Sequence, residues 1–175
     1  KRAFAAGLML SKIVPSTNTV TIYNNNAETM DLTGIEIYNG GLTPLCDASG
    51  TLASGQTTDI SCTINDDDGI YMSDVNPSNS DLNGDESYNF IIDAVCWNDD
   101  GSTIDDICES GEEMVKAGVW GAGSAIDGSG RTNLEYQLIS AGNNDQAITD
   151  WEAIPEFGTL LMPIASVLLI VGYNY

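Results

Sequence analysis

Apolar and polar residues alternate with a period of two along most of this chain, the pattern of strands that bury one face. Val20 and Ile22 alternate with Thr19, Thr21 and Tyr23, and Ile35 and Ile37 flank Glu36. Ile60, Cys62 and Ile64 share one parity, and Leu134, Tyr136 and Leu138 stand opposite Glu135 and Gln137. Residues 88–97 are apolar on both parities, as an internal strand covered on two sides would be. Between these runs lie turn clusters: Asn39-Gly40-Gly41, Asp66-Asp67-Asp68-Gly69, Asn83-Gly84-Asp85 and Asn98-Asp99-Asp100-Gly101. No window among them holds a helical stripe. The pattern predicts an all-β protein, an antiparallel β-sandwich.

The two ends break the alternation. Lys1 and Arg2 precede an apolar stretch over residues 3–10 with the charge and apolarity of a signal peptide's first two regions, but the run is only eight residues, Lys12 interrupts it and no A-x-A cleavage site follows. Such an arm is expected to add as a strand to a neighbouring subunit's sheet, to fold onto its own domain or to be a remnant targeting segment. At the other end, residues 157–173 are uncharged and mostly apolar. As a helix these 17 residues rise roughly 25 Å, the short limit for a bilayer core. Leu160, Leu161, Ile164, Val167, Leu168, Ile170 and Val171 would form its anchoring or assembly surface. Pro163 falls near its first turn, and Tyr173 and Tyr175 suit an interfacial belt. A buried core helix wants the same residues. Three segments result: a basic and apolar arm over 1–17, a sandwich over 18–153 and a hydrophobic carboxy-terminal helix over 154–175.

Charge narrows the function. Among 175 residues there are 26 Asp and Glu, five Lys and Arg and no His, a formal net charge of −21. Without histidine there is no Ser-His-Asp triad, no Cys-His pair and no imidazole-ligated zinc. Phosphate neutralisation needs clustered Lys and Arg, so no nucleic-acid partner is expected. Residues 66–113 hold 15 acids and no base. Self-repulsion on this scale calls for screening by salt or divalent cations. Calcium is the candidate cofactor, with Asp66, Asp68, Asp81, Asn83, Asp85, Asp99 and Asp100 as hard oxygen ligands. The stretch Asn79-Ser80-Asp81-Leu82-Asn83-Gly84 nearly opens a calcium loop, but Phe90 holds the twelfth position, so it is no EF-hand. Asp-Asp-Gly is also ordinary turn chemistry. No pair of carboxylates stands out as a glycosidase dyad, and no enzyme is expected.

The four cysteines, Cys46, Cys62, Cys96 and Cys108, form no C-x-x-C. An even count in an acidic, Ser/Thr-rich chain suggests disulfides and an oxidising compartment. The local pairs Cys46–Cys62 and Cys96–Cys108 are favoured because each closes a loop over a turn-rich segment. The rival brings Cys62 and Cys96 together, since each shares parity with core residues. Four buried free thiols are the remaining alternative.

The order of short motifs resembles lamin-tail domains. Thr19-Val20-Thr21-Ile22-Tyr23-Asn24, then Met30-Asp31-Leu32-Thr33-Gly34 and Ile35-Glu36-Ile37-Tyr38, is similar to their opening: a strand ending in Asn, a loop, an Asp-Leu-Ser/Thr-Gly turn and a second strand. Thr51-Leu52-Ala53-Ser54-Gly55 resembles the approach to their next strand, and Ile92-Asp93-Ala94-Val95-Cys96-Trp97 their Asp-containing central strand. Arg131, Thr149-Asp150-Trp151 and the turn from Pro155 follow in the family order. The resemblance spans residues 19–158, with acidic insertions around 66–81 and 98–113 departing from it. It implies an immunoglobulin-like sandwich serving as a structural or adhesive module. Pro155, Glu156, Phe157 and Gly158 before the apolar run resemble the PEFG-type sorting signals of archaeal surface proteins. The basic cluster of those signals does not follow in Asn174-Tyr175, which leaves open whether a sortase-like enzyme acts here.

The expected function is a structural subunit of a cell-surface filament or array, its partners identical subunits and a membrane or hydrophobic helix core. The alternative is a membrane-tethered, calcium-dependent adhesion module.

Overall fold

A computed structural model of the chain describes residues 7–39, 43–64, 69–74, 91–98, 117–121, 125–128, 134–139 and 150–155. Among the described residues are twelve strands: β1 (Leu8–Val14), β2 (Thr19–Asn24), β3 (Met30–Asp31), β4 (Glu36–Asn39), β5 (Pro44–Asp47), β6 (Thr51–Leu52), β7 (Thr57–Ser61), β8 (Gly69–Ser73), β9 (Ile91–Asn98), β10 (Ile126–Asp127), β11 (Leu134–Leu138) and β12 (Trp151–Pro155). They form a five-stranded sheet in the order β12-β11-β1-β2-β7, a second in the order β10-β9-β8-β4-β5, and a small β3-β6 pair. The described pairs are antiparallel except β9 with β10, which run parallel. The all-β expectation holds, with that one parallel contact at an edge.

Alternation explains most of the core. Val20 and Ile22 on β2, Ile37 on β4, Leu134, Tyr136 and Leu138 on β11 and Trp151 on β12 are all buried in one apolar cluster. All five residues of β8 are buried, so both of its faces are covered. β9 is internal and contributes buried Ala94, Val95, Cys96 and Trp97. Rings tie the sheets and strands together: Trp97 of the second sheet stacks on Tyr136 of the first at 5.3 Å, and Tyr38 on Tyr71 between β4 and β8 at 5.3 Å.

The run Leu8–Val14 is not an appendage. It is β1, third of five strands in the first sheet, hydrogen-bonded to β2 and β11 of its own chain. A β-bulge hid it from the alternation: Leu10 pairs with Ile22 but Lys12 already with Thr21, so Ser11 and Lys12 together oppose one residue. That shift lets Leu10 and Ile13, three positions apart, both reach the core. Ile154 and Pro155 likewise belong to β12, opposite Glu135 and Leu134.

Candidate functional site

Strand β2 begins beside Asn18 and ends at Asn24, and the two ends of the first sheet are built differently. Asn24 is fully buried and every polar group it carries has a partner. Its Nδ2 donates to the carbonyls of Glu28 and Leu52, both at 2.8 Å, and its Oδ1 accepts the Asn26 N–H at 2.9 Å. Its backbone N–H donates to the Gln56 carbonyl at 3.0 Å, and its own carbonyl accepts the Gly55 N–H at 2.8 Å. The side chain therefore gathers the loop after β2 and the β6 strand, while the backbone of the same residue holds the turn before β7.

The neighbouring turns follow from local chemistry. Asp31 Oδ1 accepts the Thr33 N–H at 2.9 Å, an Asx turn, and this bond with the Thr33 hydroxyl holds the carboxyl below its ordinary range. Gly34 and Gly55 take φ of 86° and 68°, the left-handed region that suits glycine. Leu32 dips into the core while its N–H donates to the Gly50 carbonyl at 2.8 Å, and Ser54 Oγ donates to the Asn26 carbonyl at 2.5 Å. The result is a fixed, polar surface on which Asn25, Glu28, Thr29, Thr33, Ser49 and Ser54 are exposed.

The opposite end turns on Asn18, which adopts the left-handed conformation at φ 54° after a 3-10 turn over Pro15–Thr17. Its N–H donates to the Pro15 carbonyl at 3.0 Å, its carbonyl accepts the Cys62 N–H at 2.8 Å, and its Oδ1 accepts the Ile64 N–H at 3.0 Å. Cys62 is joined to Cys46 with Cα atoms 5.1 Å apart, linking the chain after β7, an edge of the first sheet, to β5, an edge of the second. The favoured local pairing is thus present for these two, and the rival that joined Cys62 to Cys96 is overturned. Parity did place Cys62 in the core, but Cys46 reaches it first across the shared edge. Cys96 is also disulfide-bonded; Cys108 lies outside the described residues.

A buried carboxylate joins the sheets between these ends. Asp93 on β9 is 3 % exposed; its Oδ2 accepts the Leu10 N–H at 2.7 Å and its Oδ1 the N–H of Ala94 at 2.9 Å. The β1 bulge lies beside Leu10, so the group that the bulge disturbs is met by the opposite sheet. In the second sheet the Tyr38 hydroxyl donates to the Glu36 carboxylate, and burial first, then Glu36, pushes that phenol well above its ordinary range. Neither role was assigned from sequence. The only signal was a single acid inside an apolar run.

The expected site residues divide sharply. Asp66, Asp68, Asp81, Asn83, Asp85, Asp99 and Asp100 lie outside the described residues, as do Glu156, Phe157, Gly158, Leu160, Leu161, Ile164, Val167, Leu168, Ile170 and Val171. Register nevertheless relates the strands that flank two of the acidic stretches: Gly69, after residues 66–68, pairs with Cys96, and Asn98, before Asp99, pairs with Asp127. Among the described residues no three acidic, cysteine or histidine side chains gather to hold a metal ion. Among them, too, no helix is long and apolar enough to cross a membrane.

Pro155 closes β12 opposite Leu134, and β11 pairs with β1 through Ile13 and Tyr136. Continuing that register by two residues sets Leu134, and with it Pro155, level with Pro15. The chain therefore leaves β12 at the Asn18 end. No family model, curated protein or solved structure matches this chain.

Proposed function

We propose that this chain is a non-enzymatic structural subunit of a cell-surface assembly. In this reading an immunoglobulin-like, lamin-tail-like sandwich is displayed outside the cell. A carboxy-terminal apolar helix over residues 157–173 holds it in the membrane or in a core of identical helices. The observation that carries the reading is the passage from edge strand β12 to an uncharged apolar run with a single residue, Glu156, between them. An uncharged, mostly apolar run beside a body of such negative charge, in a chain of net charge −21, calls for cover by something other than water. The Cys46–Cys62 disulfide fits an oxidising, extracellular setting. The order of short motifs from Asn24 through Leu32 and Gly34 to Leu52 and Gly55 resembles that of lamin tails. Cell fractionation tests the proposal. The full chain is expected with the envelope and a chain lacking residues 157–175 in the medium; equal release of both would refute it.

The second reading, a tethered calcium-dependent adhesion module, draws on the register that brings the strands flanking residues 66–68 and 99–100 together. Calcium is then expected to raise the melting temperature by several degrees, and an unchanged melt removes this version.

A further inference from the structure

We infer that β7 is the strand through which two copies of this chain join, their β7 strands pairing antiparallel about Ile60 into one continuous sheet. The inference rests on the reading above that identical subunits are the partners, and names where they meet. Four strands stand at the edges of the two five-stranded sheets: β12, β7, β10 and β5. Three of them are blunted. β5 opens on Pro44 and its register against β4 is irregular, β10 is two residues long, and β12 closes on Pro155. β7 has no proline, and its five residues pair with β2 without a shift.

The ladder shows which groups this edge offers. The Asn24 N–H donates to the Gln56 carbonyl and the Cys62 N–H to the Asn18 carbonyl. Bonded pairs alternate along an antiparallel ladder, so Thr58 and Ile60 bond β2 as well, and the N–H and C=O of Thr57, Asp59 and Ser61 point away from it. In the structure these outward groups have no hydrogen-bond partner. A two-fold axis through Ile60 pairs them with those of a second copy. It sets Ile60, which is only half-buried against the core, on its own counterpart and completes its cover. It also sets Ser61 opposite Asp59, whose carboxylate the Thr21 hydroxyl already holds at 2.6 Å, so the Ser61 hydroxyl donates across the junction. A register centred on Asp59 would instead oppose two carboxylates.

Charge makes this pairing conditional. Each copy carries −21; Asp47 follows Cys46, the partner of Cys62, and Asp66, Asp67 and Asp68 follow Ile64 closely in sequence. Dilute copies in low salt therefore stay apart, and screening or crowding brings the edges together. A two-fold contact closes at two copies and by itself forms no polymer.

The test uses the full chain in detergent-free buffer, with photoreactive benzoylphenylalanine in place of Thr57, which is exposed and in this register lies opposite Thr63 of the second copy. Irradiation is expected to give a cross-linked pair whose junction peptide contains Thr63, with a yield at least threefold higher at about 2 M than at about 0.1 M salt. Asp59→Asn should raise the low-salt yield. Ser61→Pro removes only an outward N–H and should abolish the cross-link while native circular dichroism persists. A cross-link that maps elsewhere or survives Ser61→Pro, or larger particles in sedimentation without it, would overturn β7 as the junction and leave the assembly reading standing. Neither cross-link nor larger particles would overturn both.

Discussion

Asn18 and Asn24 bracket the same strand and hold their surroundings by opposite means. Asn24 is buried and works through its side chain, which makes three hydrogen bonds to backbone groups of two segments, the loop after β2 and strand β6. Asn18 is exposed and works mainly through its backbone, which takes a left-handed turn that few residues other than glycine accept so readily. What secures its end of the sandwich is the covalent bond between Cys46 and Cys62. Hydrogen bonds fix one end and a disulfide fixes the other. An amide that is inside the protein is costly to remove, whereas one at a solvated turn can be replaced.

The largest effect that would sharpen this contrast is at Asn24. Asn24→Ala strands the Leu52 carbonyl inside the protein and frees the loop after β2, so a loss of about 3–4 kcal/mol is expected from urea unfolding. A loss below ~1 kcal/mol would mean that the Asn24 network is not what organises that end. Next comes the disulfide. Removing both sulfurs through Cys46→Ser with Cys62→Ser opens a loop with a separation of 16 residues, and about 3 kcal/mol of stability is expected to go with it. Unfolding of the native chain with and without reductant should show a shift of similar size.

Asn18→Gly is the matching control, because glycine relieves the left-handed backbone while giving up the bond to the Ile64 N–H. These terms nearly cancel, and a change within about 1 kcal/mol is expected in the same urea experiment. The smallest effect is at Asp31. Its carboxyl is held below the ordinary range by Thr33, so the stabilisation is present above about pH 4 and fades as the pH falls through the folded value. Asp31→Asn should flatten the acid limb of the melting temperature against pH and leave the neutral region nearly unchanged. A steeper acid limb in the variant would reverse the sign of this assignment.

How far these features could be read in advance depended on whether the residues spoke through periodicity. Val20 with Ile22, and Leu134 with Tyr136 and Leu138, alternate cleanly, and each set lies in the core. β1 escaped because its bulge shifts the alternation by one residue and because Lys12 reads as the end of an apolar run. Asn24 could be noticed as the close of a strand motif, but its bonds to Glu28 and Leu52 depend on a fold that returns β6 to its side. Asp93 was visible as an acid in an apolar strand, yet its partner Leu10 lies 83 positions away and no local pattern connects them. Cysteine spacing favoured the local pair Cys46–Cys62, and the shared edge of β5 and β7 is what brings the two together. The calcium candidates rest on ligand type and density alone, because those positions lie outside the described residues.

The same division between a self-contained body and its apolar continuation sets the decisive measurement. Sedimentation velocity on the full chain and on a chain lacking residues 157–175, both in detergent-free buffer, reads assembly directly. The account predicts that the shortened chain sediments as a single monomer with an unchanged melting temperature, since in this reading residues 157–175 are covered by lipid or by sister copies and not by their own sandwich. The full chain should sediment as larger particles unless lipid is supplied. Polymerisation of the shortened chain, or a full chain that stays monomeric in plain buffer, would contradict it.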